Sequence, residues 1–138
     1  MIEGSCLCGA VRFEVEGSFA EAHHCHCSQC RKSHGAAFAT YACARAESLR
    51  VVTGETSITS YRSSPAVRRS FCGRCGARLF FQHDAAPQLM FVAVGLLDGA
   101  PAGALPIDAH VYVASKADWW EIGDDLRRYA GQRPEYGG

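Results

Sequence analysis

Apolar and polar side chains alternate along much of the chain at a period of two. Val11, Phe13 and Val15 interleave with Arg12, Glu14 and Glu16, and Gly17 follows. That pattern predicts a strand with one buried face. Segments 37–43, 49–53, 56–61, 66–71 and 78–82 predict further strands, with β-branched residues or bounding glycine and proline as support. Segment 89–97 is the most apolar and predicts a central strand buried on both faces. Segment 107–113 predicts another, with His110 and Tyr112 on one face and Val111 and Val113 on the other. Glycine, alanine and proline mark 98–106 as a surface loop. Helix signals are few. They predict a helical segment within 25–34, a short turn from Ser115 through Trp119 and Trp120, and a turn over 124–129 ended by Gly131. The two tryptophans read as one ring in the core and one half exposed. The expected fold is a mainly β domain of about eight short strands with little helix.

A length of 138 residues fits one domain over 1–138, and 48% hydrophobic content is enough for a core. Lys+Arg 14 against Asp+Glu 14 gives no support to nucleic-acid or membrane-surface binding. No apolar run is long enough to span a bilayer, and the first residues lack the basic-then-apolar pattern of a secretory signal. Eight cysteines in such a chain then read as reduced thiols in the cytoplasm, and hence as metal ligands rather than a disulfide framework.

Seven of the eight fall into three clusters: Cys6 and Cys8; Cys25, Cys27 and Cys30; Cys72 and Cys75. Thiolates spaced this closely select zinc or an iron–sulfur cluster over harder metals. Four thiolates close a tetrahedral zinc; three leave a position open. Seven cysteines therefore suit one closed and one open site. In Cys72-Gly73-Arg74-Cys75-Gly76 the glycines permit the close approach and positive φ of a metal-binding turn. Cys6 and Cys8 would face opposite ways on a flat strand, so the chain bends there, and Gly9 allows it. These two pairs together read as the structural site. Cys25, Cys27 and Cys30 read as the open one, where a metal acts as Lewis acid toward water, a carbonyl oxygen or a thiolate. The competing reading is a second closed site completed by His23, His24, His26, His34, His83, His110 or Cys43. Cys43, between two alanines in an expected strand, reads as a small core residue. Bound thiolates leave net negative charge, which Arg31, Lys32, Arg74 and Arg78 flank.

Gly4-Ser5-Cys6-Leu7-Cys8-Gly9-Ala10-Val11, Cys25-His26-Cys27-Ser28-Gln29-Cys30-Arg31-Lys32 and Phe71-Cys72-Gly73-Arg74-Cys75-Gly76 together resemble the glutathione-dependent formaldehyde-activating enzyme family, which includes centromere protein V. Ser115-Lys116-Ala117 with Trp119 is similar to that family's C-terminal segment. The resemblance implies a zinc-stapled β-sandwich similar to the methionine-R-sulfoxide reductase fold, carrying two zinc ions. Cys6, Cys8, Cys72 and Cys75 would hold the structural zinc. Cys25, Cys27 and Cys30 would hold the catalytic one, with Cys27 the thiol that meets glutathione. The implied reaction is a carbon–sulfur lyase reaction run toward synthesis, from glutathione and formaldehyde to S-(hydroxymethyl)glutathione. Two alternatives compete with this reading. A non-catalytic zinc module with a protein partner would have a closed second site and an exposed apolar patch. Methionine sulfoxide reduction would need Cys43 as nucleophile. The oligomeric state is not legible.

Overall fold

The computed structural model describes residues 1–134. Two sheets carry the described chain. Strands β1 (Ile2–Ser5), β2 (Arg12–Val15) and β5 (Leu49–Thr53) form a small antiparallel sheet. The larger sheet is built from β3 (Glu21–Cys25), β4 (Ala39–Arg45), β6 (Ile58–Ser64), β7 (Val67–Cys72) and β8 (Arg78–His83), with β9 (Leu89–Ala93), β10 (Ile107–Val111) and β11 (Arg127–Arg128). Its order is β11-β10-β3-β4-β9-β8-β7-β6. The pairs β3–β10 and β10–β11 are parallel and the rest antiparallel. The one α-helix among the described residues, α1 (Ser28–His34), follows β3. No helix among them is long and apolar enough to cross a membrane.

Period-two alternation explains the layering. On β2, Phe13 and Val15 are buried while Arg12 is exposed. Phe13 meets Phe80 of the large sheet edge-on, with ring centroids 5.2 Å apart. Val11, Leu79, Ala42 and Val92 complete this inter-sheet core, and each large side chain buried there contributes about 1.5–3 kcal/mol. The other face of the large sheet carries a separate cluster: Tyr41 and Cys43 from β4, Phe81 from β8, Phe91 from β9 and Val111 from β10. Adjacent residues of one strand thus serve different cores, as Ala42 and Cys43 do.

The mainly β expectation is met, with a strand within or overlapping each of the eight expected segments and an interior place for β9 between β4 and β8. The differences are local. β9 stops at Ala93, and Val94–Leu96 turn as a 3-10 helix that brings Leu97 to Gly4 of β1. β10 stops at Val111 because Tyr112 adopts φ 57, the one non-glycine residue with positive φ among the described residues. The expected pairing of His110 and Tyr112 on one strand face therefore fails. The Tyr112 and Val113 amides instead donate to the Gly131 and Tyr129 carbonyls. That return path makes β11 where a helical turn over 124–129 was expected. The turn near Ser115 precedes it, over Val113–Ser115, and neither tryptophan enters the core: Trp119 is 68% and Trp120 40% exposed. β1 and β3 have no counterpart in the sequence reading.

Candidate metal centres and active site

Cys6 and Cys8 sit in the turn that joins β1 to β2. The Gly9 amide donates to the Cys6 carbonyl at 3.2 Å with Gly9 at φ 80, and the Val11 amide donates to Cys6 Sγ at 3.3 Å. Cys72 ends β7 and Cys75 lies in the turn to β8. There the Gly76 amide donates to the Cys72 carbonyl at 2.8 Å, with Gly76 at φ 80. Gly73 is pressed against β6: a Cβ added there would lie 2.8 Å from Thr59 Oγ1. The two turns place their four sulfurs within 4.8 Å of one another. Cys6 and Cys8 sulfurs are 3.6 Å apart and those of Cys8 and Cys72 3.9 Å. Tetrahedral bonds of about 2.3 Å require sulfurs about 3.8 Å apart, whereas a disulfide requires about 2 Å. The donor set fits a four-thiolate metal site.

Cys25, Cys27 and Cys30 form a second group, also within 4.8 Å. Cys25 is the last residue of β3. Cys27 caps α1, its sulfur accepting the Cys30 amide at 3.3 Å. Cys30 lies one turn inside the helix, which Gly35 ends at φ 62 by donating to the Arg31 carbonyl. Strand end, cap and first turn thus turn three sulfurs toward one point. Cys30 and Cys25 are 2% and 6% exposed, and Cys27 is half-buried. The crowded sulfurs compete for charge: hydrogen bonds from Cys25 and Cys30 push the Cys27 thiol far down, and hydrogen bonds with Cys27 and Cys30 push Cys25 up. A bound cation relieves that competition by accepting all three as thiolates, so this set also fits a soft metal.

The structure thus brings together each of the seven cysteines in its expected group. No histidine, carboxylate or further cysteine among the described residues joins the trio. His24 Nδ1 bonds Thr40 Oγ1 at 2.7 Å, and His34 Nε2 bonds the Tyr41 hydroxyl at 2.7 Å. His26 Nε2 bonds His110 Nδ1 at 2.8 Å, and His110 Nε2 reaches the Asp124 carboxylate at 3.0 Å. His83 faces the Phe81 and Phe91 rings, and His23 also lies beside Phe91. Cys43 is buried in β4, and burial pushes its thiol up to about 12, which keeps it protonated at neutral pH and argues against a nucleophilic role.

One neighbour has no counterpart among the expected cations. Arg69 of β7 directs Nη1 and Nη2 at Cys30 Sγ, at 3.6 and 3.7 Å. Arg78, which the sequence does flag, lies over the Phe71 ring. The signal for Arg69 is faint: alternation within 66–71 puts Arg69 on the face opposite Arg68, and nothing local says that this face meets the cysteines. A cavity of about 550 Å³ opens beside the trio's helix. Its walls include Ser33 and His34, which share the Cys30 face of α1, and Ala77 and Arg78, which follow Cys75.

A two-sheet β protein with a four-sulfur and a three-sulfur group, each able to hold a metal ion, is the class that fold and geometry define. Residues 1–115 match the sequence profile of a family described as "Glutathione-dependent formaldehyde-activating enzyme". The chain belongs to this family. A Halomonas elongata protein that carries the family's name is 33% identical over 88% of this chain and 81% of its own length. A Schizosaccharomyces pombe protein described as an uncharacterised lyase is 28% identical over 87% of this chain and 84% of its own length. The crystal structure of a Rhodobacter sphaeroides protein superposes with a TM-score of 0.61 at 36% identity, covering 76% of this chain and 98% of the other.

Proposed function

We propose that the chain is a zinc-dependent, carbon–sulfur lyase-like enzyme that joins a small thiol, glutathione or a relative of it, to a carbonyl compound such as formaldehyde. The observation that carries this reading is the convergence of Cys25, Cys27 and Cys30 with no fourth side-chain donor among the described residues. Cys6, Cys8, Cys72 and Cys75 would hold a second, structural zinc. When bound by three thiolates, zinc supplies a Lewis-acidic position for a thiol sulfur or a carbonyl oxygen. Cys25 and Cys30 anchor that site from the buried side, while Cys27 is only half-buried. The cavity beside α1 offers room for the thiol's peptide portion, with the Arg78 guanidinium suited to its carboxylates. The reaction forms one bond between sulfur and carbon and turns C=O into C–OH. The thiol proton ends on that oxygen, and no oxidant or reductant is needed. The family profile and its named relative support this substrate class. Eight free thiols support residence in a reducing compartment, the cytoplasm, and balanced charge supports a small-molecule partner rather than nucleic acid or a membrane.

The test is metal analysis joined to adduct kinetics. The purified chain is expected to hold two zinc ions, and Cys27→Ser one. Followed by NMR with labelled formaldehyde and glutathione, the wild type accelerates adduct formation and the variant does not. A variant as fast as the wild type, or a wild type with one zinc, defeats the reading.

A further inference from the structure

Arg69 is held from three sides. Its Cζ stands 5.3 Å over the centre of the Phe81 ring, its Nε donates to Ser63 Oγ at 2.9 Å, and its two terminal nitrogens face Cys30 Sγ. The strand ladder fixes its base, since Arg69 is paired with Tyr61 of β6 and Phe81 of β8. A guanidinium so braced loses little freedom in meeting a sulfur. Three thiolates on a divalent ion leave a net charge of about −1, and Cys30 lies where an unpaired charge is costly. Among the three sulfurs, the N–H groups of Arg69 lie within hydrogen-bond reach of Cys30 Sγ, where they withdraw electron density most directly. Cys27 accepts the neutral Cys30 amide rather than a guanidinium N–H and is less buried than Cys30.

We propose that Arg69 is a positioning residue that makes Cys30 the permanent, weakly nucleophilic donor of the trio and leaves Cys27 as the sulfur that exchanges with incoming thiols and electrophiles. The inference rests on the three-thiolate reading, and the experiment separates the two. The full chain is loaded with zinc, and then with cobalt, as wild type, Arg69→Met, Arg69→Lys and Ser63→Ala. A wild type that binds one equivalent overturns the site reading itself. With two equivalents bound, Arg69→Met is expected to weaken the second zinc about 10- to 100-fold in chelator competition while leaving the first unchanged. Its sulfur-to-cobalt charge-transfer band moves to lower energy, because a hydrogen bond to the thiolate is lost. Iodoacetamide labels Cys27 before Cys30 in the loaded wild type, and Cys30 gains on it in Arg69→Met. Arg69→Lys restores part of the affinity, and Ser63→Ala shifts the band least. An unmoved band with an unchanged labelling order overturns the proposal while the site reading stands. If Arg69→Met does not fold, Arg69→Gln is read by the same two measurements.

Discussion

Cys43 and Cys27 carry the same thiol in opposite circumstances. Cys43 is enclosed among Tyr41, Phe81 and Phe91, and burial keeps it protonated. Its job is to fill space. Cys43→Ala is expected to keep both metals and to lower stability by about 1 kcal/mol, read from the denaturant midpoint. Loss of a metal from that variant would refute a purely packing role. His34 supplies a pH dependence. Burial, with Arg69 and Arg78 nearby, pushes its pKa from 6.5 down to about 4. The unfolded chain takes up this proton near 6.5, and the folded chain does so only near 4. The His34 contribution to stability is therefore intact above 6.5, falls as pH drops between those values and levels off below 4. His34→Gln, which keeps a partner for the Tyr41 hydroxyl, is expected to flatten the stability–pH curve in that window. A slope unchanged by the substitution contradicts this assignment. The grouping of the sulfurs is legible at this scale because close spacing within each cluster limits which of them can converge. The Arg69 contact spans 39 positions and exists only through strand register, so no local pattern announces it.

Elements were legible where one face is wet and the other dry. β2 and β5 follow that rule, and β5 falls on the expected residues 49–53. β3 hides because it is an interior strand of the large sheet carrying two adjacent histidines, His23 and His24. Their polarity is satisfied by neighbours such as Thr40 rather than by water, so alternation vanishes. β1 hides because Gly4 stands where an apolar residue would mark its inner face. The turn at Cys72–Cys75 was legible through its glycines, and it depends on contact with β6. Gly73→Ala sets a Cβ 2.8 Å from Thr59 Oγ1 and 3.2 Å from the Ser57 carbonyl oxygen. Overpacking of this kind costs about 1–3 kcal/mol. The expected result is a lower denaturant midpoint and weaker binding of the four-thiolate metal. Adding Thr59→Ala recovers part of both, because the nearest clash goes. A double variant as impaired as the single would place the strain elsewhere in the turn.

Across the whole molecule the two sulfur groups occupy opposite faces of the large sheet. Cys6 and Cys72 belong to the core between the sheets, with Phe13 and Leu79, whereas Cys25 and Cys30 belong to the aromatic cluster on the far side. A metal in the first group ties the β1–β2 turn of the small sheet to the β7–β8 turn of the large one. Such a tie joins Cys8 to Cys72, 64 positions further along the chain, and its binding free energy becomes folding free energy. A metal in the second group joins residues within one short stretch that β3, α1 and the Gly35 cap already shape. Removing the two metals should therefore have unequal consequences. Cys72→Ser is expected to unfold the chain or sharply lower its melting temperature by far-UV circular dichroism. Cys27→Ser should retain the fold, with a loss of about 1 kcal/mol, the usual effect of a single substitution. Graded chelation of the wild type should likewise proceed in two stages, the first releasing metal with little spectral change and the second collapsing the β signal. Simultaneous loss of both metals and structure would mean that the trio braces the fold as much as the four-sulfur site does. The division between a scaffold metal and a working metal would then fail.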